Sequence, residues 1–247
     1  MFLLAARARG LNEAQKLLAQ GFDILEITLP CPGGLEEERA WAELARQNHL
    51  TFLGHGPNEG DPNDLVNLEK RYLPQLKLAL EAAQRLECLG LTIHFWFESL
   101  WVKQDVSLEK ISLLARVVEW GTALGVPVNL ENLSEPWIDL KPPLDAIPDL
   151  GLTLDVGHAQ LLHPENTAPD IIERFLHRVR HLHLHDNNGG PGPQSDLHLI
   201  PGQGRVPFSK IFSLLKQRDY NRTATLELWP HEMIQGRDFV LTAWCRA

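Results

Sequence analysis

The stretch from Leu108 to Glu131, LEKISLLARVVEWGTALGVPVNLE, contains one full unit of the chain's organisation. A helical pattern over Leu108–Leu124 stops at Gly125, a residue suited to the C-terminal end of a helix. The apolar run Val126–Leu130 then reads as a buried strand, and an acid, Glu131, stands where it ends. The same succession repeats in both directions. Further strands are expected at Phe2–Ala5, Asp23–Thr28, Thr51–Gly54, Gly90–His94, Gly151–Leu154, His181–His185 and Thr223–Leu228. Helices are expected at Asn12–Gln20, with an Asn cap, and at Leu35–Asn48, whose Glu36, Glu37 and Glu38 suit the positive end of the helix dipole. A long helix over Leu65–Cys88 should kink at Pro74. Shorter helices are expected at Ala168–Arg178 and Phe208–Gln217, and a last one begins near Glu232. Pro142-Pro143 and Asn187–Ser195 read as loops.

Strands alternating with helices imply parallel pairing and right-handed crossovers. About eight such units of roughly 30 residues favour closure into an α/β fold, a (β/α)₈ barrel, over an open doubly wound sheet. No G-x-G-x-x-G follows the first strand, which removes the best support for a dinucleotide-binding sheet. No linker separates two domains, so residues 1–247 are expected to form one barrel.

Composition narrows the function. The chain of 247 residues is 44% hydrophobic and 22% charged, enough apolar content to offset the entropy of ordering. Its net charge of -9 disfavours a generally basic nucleic-acid binder. Cys31, Cys88 and Cys245 are too scattered for a disulfide framework. Cys31, between two prolines, reads as a loop residue and not a ligand. No apolar run approaches the ~18 residues of a membrane span, and Met1–Arg7 lacks the basic start and length of a leader. A cytoplasmic location is expected.

In a barrel of this type, chemistry belongs at the C-terminal ends of the strands. Those positions hold His55, His94, Glu131, Asp155 and Glu227, with His158 three residues after Asp155. The seventh strand carries His181, His183 and His185 on one face, since strand side chains alternate, and Asp196 and His198 follow. A single histidine or acid at a strand end is ordinarily a satisfied rim residue. So many together, with few Lys or Arg, need a cation to offset repulsion and desolvation. Oxygen and nitrogen donors without thiolate suit Zn²⁺, Mn²⁺, Fe²⁺ or Co²⁺.

Val128-Asn129-Leu130-Glu131-Asn132, Leu154-Asp155-Val156-Gly157-His158-Ala159, His183-Leu184-His185-Asp186-Asn187, Asp196-Leu197-His198 with Gly202-Gln203-Gly204, and Leu226-Glu227 together resemble the xylose isomerase-like TIM-barrel superfamily. The resemblance runs from about His55 to Glu227. That group holds sugar and sugar-phosphate isomerases and epimerases, and the endonuclease IV type of abasic-site nuclease. The resemblance implies a single divalent metal, Zn or Mn, on Glu131, Asp155, His183 and Glu227, with His158 beside the substrate. The multi-metal nuclease pattern adds His55, His94, His158, Asp196 and His198, all present here in type.

The surroundings favour the first reading. The loop Pro30–Glu36 has no Lys or Arg, and Gly56–Asp61 is acidic, so Glu36, Glu59 and Asp61 should repel DNA. DNA is therefore not expected as a partner. Trp96, Trp101 and Trp229 offer apolar walls for a small molecule, though packing between loops and helices would explain them equally well. Only Arg7, Lys103 and Arg205 are candidates for holding a phosphate. The resemblance then implies metal-dependent isomerisation or epimerisation of a sugar or sugar phosphate, with Glu131 and Glu227 moving the proton next to a carbonyl. Phosphodiester hydrolysis and keto-acid dehydration on the same scaffold are the alternatives.

Overall fold

The computed structural model describes residues 2–191 and 193–247; Met1, and Gly192 within the expected Asn187–Ser195 loop, lie outside the described residues. Eight parallel strands close into a barrel in chain order: β1 (Leu3–Ala8), β2 (Ile24–Thr28), β3 (Thr51–His55), β4 (Leu91–Ile93), β5 (Val128–Glu131), β6 (Gly151–Asp155), β7 (Val179–Leu184) and β8 (Thr223–Leu226). β8 returns to β1, pairing Thr223 with Leu3 and Leu226 with Ala6. The expected (β/α)₈ barrel is therefore the observed architecture. The crossovers carry α1 (Leu11–Ala19), α2 (Gly34–Asn48), α3 (Leu65–Asn67), α4 (Leu73–Arg85), α5 (Gln104–Leu124), α6 (Trp137–Ala146), α7 (Ala168–Phe175), α8 (Phe208–Gln217) and α9 (Met233–Arg246).

The two faces of each strand divide the labour. Outward residues such as Leu25, Ile27, Phe52, Ile93, Leu130, Leu154, Leu182 and Leu226 join the helices in one apolar core. Inward residues two apart are mostly polar: Glu26 and Thr28 on β2, Asn129 and Glu131 on β5, Thr153 and Asp155 on β6. The lumen is consequently a hydrogen-bonded column, with Thr92 bonded to Thr153 at 2.8 Å and His181 to Thr223 at 2.8 Å. A small apolar plug of Ala5, Ile24 and Leu53 is separate from the main core. β7 needs a correction of phase to present its histidines inward. Val179 pairs with Leu152, but the next pair is Thr153 with His181, so a bulge skips Arg180.

Several local expectations change. Asn12 lies inside α1, whose N-cap position is Gly10. The expected long third helix is broken: a π-turn spans Leu68–Tyr72, and Pro74 sits in the first turn of α4. Proline has no N–H to give to the preceding turn, and the widened turn absorbs that loss. Pro142 and Pro143 are not in a loop but inside α6. Buried Leu140 and Leu144 hold that face to the core. The Arg178 guanidinium donates to the carbonyls of Leu144, at 2.7 Å, and Leu150, at 3.0 Å, beyond the helix end. Tertiary contacts here outweigh helix propensity. β1 runs to Ala8 instead of ending at Ala5, which turns Arg7 into a buried lumen residue.

No helix of the described residues is long and apolar enough to cross a membrane.

Candidate metal centre

The closed barrel brings Glu131, Asp155, His183 and Glu227 together, with one donor atom from each lying within 4.8 Å of the others. His183 is the hub. Its Nδ1 stands 3.1 Å from Glu131 Oε1, 3.6 Å from Asp155 Oδ2 and 3.7 Å from Glu227 Oε2. Its Nε2 faces Glu26 Oε1 at 3.0 Å on the opposite side. A neutral imidazole has one N–H, and donation to Glu26 spends it. In that neutral form, the one able to bind a metal, three carboxylates converge on a nitrogen with no proton to give. Ligands about 2.1 Å from an ion lie roughly 3.0–3.5 Å apart, so these spacings fit a shared divalent cation.

The remaining expected residues surround this group. Glu131 Oε2 faces His94 Nε2 at 3.0 Å and His55 Nε2 at 3.5 Å. His158 reaches Glu131 Oε1 with Nδ1 and Asp196 Oδ2 with Nε2, both at 3.2 Å. His198 Nε2 meets the same Asp196 oxygen at 3.1 Å. Among the described residues four further groups could each hold an ion: His55, His94 and Glu131; His55, His183 and Glu227; Glu26, His181 and His183; and His158, His185, Asp196 and His198.

Local structure explains the delivery. Asp155 N–H donates to Asn132 Oδ1 at 2.8 Å, and Asn132 Nδ2 returns a bond to Asp155 O at 2.9 Å, fixing neighbouring strand ends to each other. The His158 N–H donates to Asp155 Oδ1 at 2.7 Å and orients that carboxylate. A side chain on Gly157 would run into the His185 ring. The Asp186 carboxylate accepts from the backbone of Asn187, Gly202 and Val206 at 2.8–3.0 Å. Asp186 also forms an isolated bridge with Leu199, so the segment carrying Asp196 and His198 folds back over the mouth.

Electrostatics follow the crowding. Burial alone would raise the Glu131 carboxyl, but His183 and His94 hold it well below the usual range. Asp155 is likewise depressed against burial by His158 and His185. Burial opposes charge on His198, yet its bond to Asp196 and the Glu227 charge push it from 6.5 up to about 9. His158 and His183 are also raised, burial being overcome by Asp155 for the first and by Glu227 and Glu26 for the second. In the metal-free protein these imidazoles take protons that a cation must displace. The stability they add is complete below about pH 6.5 and is lost as pH rises through their folded values. Zinc affinity should accordingly climb between pH 6 and 9 while the metal-free melting temperature falls. Competition titrations and thermal melts across that range test this, and a flat zinc affinity would contradict it.

A cavity of about 380 Å³ opens over the cluster at His94, His158 and Asp196. Trp96, Trp101, Leu133, Leu161 and Leu162 form its apolar walls. Trp229 is not among them; it is 52% exposed and lies under the Arg9 guanidinium at 4.3 Å. Lys103 is exposed, and Arg205 lines a separate cleft, so neither reaches the centre. Cys31 is buried in the loop after β2, its thiol pushed up to about 12 by burial and Glu37. Glu59 does not offer repulsive surface charge. It is buried against the Lys110 ammonium and accepts the Trp96 N–H.

The family model described as xylose isomerase-like TIM barrel matches residues 14–242. The chain belongs to the xylose isomerase-like TIM-barrel family. Fructoselysine 3-epimerase of Shigella flexneri is 22% identical over 210 residues, 79% of this chain and 73% of that protein. The crystal structure of a D-tagatose 3-epimerase-like protein superposes with a TM-score of 0.84 at 21% identity, covering 98% of this chain and 97% of that one. The IOLI protein, crystallised with a zinc atom, gives a TM-score of 0.82 at 15% identity over 99% of both chains.

Three members of the groups that could hold an ion, Glu26, His181 and His185, were not among the expected site residues. Glu26 is an acid inside the apolar run Ile24–Ile27, and that interruption was the available signal. His185 lies two residues beyond His183, just past the end of β7, and only the fold places it with His158 and Asp196.

Proposed function

We propose that this chain is a divalent-metal-dependent epimerase or isomerase of a small, unphosphorylated carbohydrate. The observation that carries the reading is the convergence of Glu131, Asp155, His183 and Glu227 within 4.8 Å, buried beneath a cavity of about 380 Å³. These four would hold Zn²⁺ or Mn²⁺. When bound, the ion supplies polarisation of the substrate carbonyl and compensation for charge gathering on its oxygen. Glu131 and Glu227 come from β5 and the end of β8, so one carboxylate removes the proton from the adjacent carbon and the other returns it. His158, at the cavity floor, turns its Nε2 from Asp196 to donate to a substrate oxygen. Among the described residues the cavity lining includes no Lys or Arg, which argues against a phosphate group there. The names of the epimerase relatives support the carbohydrate class. Keto-acid dehydration would use the same single ion and base.

The test is a ketose panel in deuterated water with Zn²⁺- or Mn²⁺-loaded protein. Deuterium should enter next to the carbonyl, a new epimer should appear, and Glu227→Gln should abolish both. Absence of exchange on every ketose would refute the proposal. The additional groups around His55 and His94, and around His158, His185, Asp196 and His198, favour a second reading as a multinuclear phosphodiesterase. Metal analysis separates the two: one tightly held ion per chain supports the epimerase, two or three the hydrolase. Glu26→Gln should weaken metal binding by about 10- to 100-fold, because an outer carboxylate that fixes the ligand tautomer is lost. Unchanged metal affinity in that variant would remove Glu26 from the assembly.

A further inference from the structure

We propose that Arg7 is a substrate-binding residue whose Nη1 holds the oxygen next to the carbon handled by Glu227. This rests on the epimerase reading of the centre. Arg7 lies on β1 in register with Glu26 and is 9% exposed. Its Nη2 donates to Thr28 Oγ1 at 3.1 Å. Its Nε is 3.8 Å from Glu227 Oε1, an ion pair too long for a hydrogen bond. Its Nη1 is buried and has no hydrogen-bond partner among the described residues.

An unmatched donor on a buried guanidinium is costly, and nearby acceptors have not taken it up. Glu26 is bonded to His181 and His183. Glu131 is surrounded by His94, His158 and His183. Were Arg7 present only to neutralise Glu227, its fork would be expected to close on that carboxylate in two short bonds. Instead Thr28 fixes the guanidinium and one nitrogen is left free.

Glu227 relates this free donor to the cluster. Its Oε1 faces Arg7, and its Oε2 faces His183 Nδ1 at 3.7 Å. A compound with oxygens on adjacent carbons can therefore engage the cluster through one oxygen and Arg7 through the other, with Glu227 beside the carbon that loses its proton. Its class is a neutral hydroxycarbonyl compound. Glu26, Glu131, Asp155 and Glu227 crowd carboxylates around this position, so a permanent anion meets their repulsion. An oxygen that becomes negative only as the proton leaves gains most. Lysine could not replace the fork, because its point charge has no fixed plane.

The experiment uses glycolohydroxamate, a planar two-oxygen mimic of an enediolate, titrated calorimetrically into Zn²⁺-loaded protein. Arg7→Met should bind it about 30-fold or more weakly than the parent, with zinc affinity unchanged within about twofold. Thr28→Val, which frees the fork but keeps the charge, should weaken it several-fold and serves if Arg7→Met does not fold. Added guanidinium should partly restore binding to Arg7→Ala. Binding within threefold of the parent in Arg7→Met, a matching loss of zinc affinity, or no binding by the parent would overturn the proposal. Arg7-dependent hydroxamate binding without turnover of any ketose would uphold Arg7 and refute the epimerase reading.

Discussion

Glu131→Ala is expected to lower zinc or manganese affinity by more than about 100-fold and to bring epimerisation below detection. Loss of an outer-sphere partner alone costs about 10- to 100-fold, and Glu131 belongs to two of the groups that could hold an ion. Its two oxygens face His183 at 3.1 Å, His158 at 3.2 Å, His94 at 3.0 Å and His55 at 3.5 Å. Removing it leaves four imidazoles without their common anion. Glu131→Gln keeps the volume and is the control for folding. It should retain the parent's circular dichroism while losing metal affinity. Tight stoichiometric binding in either variant would exclude Glu131 as a ligand.

Lys110→Met should be the most destabilising single change outside the centre. The Lys110 ammonium and the Glu59 carboxylate have no exposed side-chain surface, and they are 51 positions apart on α5 and the loop after β3. Lys110 also lies 5.2 Å from the Phe95 ring and 5.7 Å from the Phe97 ring. Breaking a buried pair by removing one partner costs about 3–5 kcal/mol, since the other charge is left unpaired. For a chain of this size that is a fall in melting temperature of roughly 6–20 °C. The double variant Lys110→Met/Glu59→Gln should recover more than half of the loss, because no isolated charge remains. Glu59 also accepts the Trp96 N–H, so the single variant should loosen the cavity wall and change tryptophan emission. A fall of less than 1 °C would show that the pair contributes nothing.

The course of the chain explains why some features could be read and others could not. Strand positions were legible because outward residues such as Leu130, Leu154 and Leu226 must be apolar to meet the helices. α6 was missed because Pro142 and Pro143 are locally poor helix residues, and Leu140, Leu144 and the distant Arg178 compensate. The end of β1 was missed because Arg7 interrupts an apolar run. The role expected for Glu59 was reversed by Lys110, a partner that no local pattern announces.

The sequence by itself determined the barrel and the residues at its mouth. Alternation of short apolar runs with helices admits few topologies, and position after a strand fixes which end of the barrel a side chain occupies. Tertiary structure alone decided which of those residues touch. Strand tilt, the bulge at Arg180 and barrel closure set the donor distances, and none of these leaves a mark in the order of residues. Glu26 against His183, Arg7 against Glu227 and Lys110 against Glu59 are therefore products of the fold: each pairs residues far apart in the chain whose energy exists only when water is excluded between them.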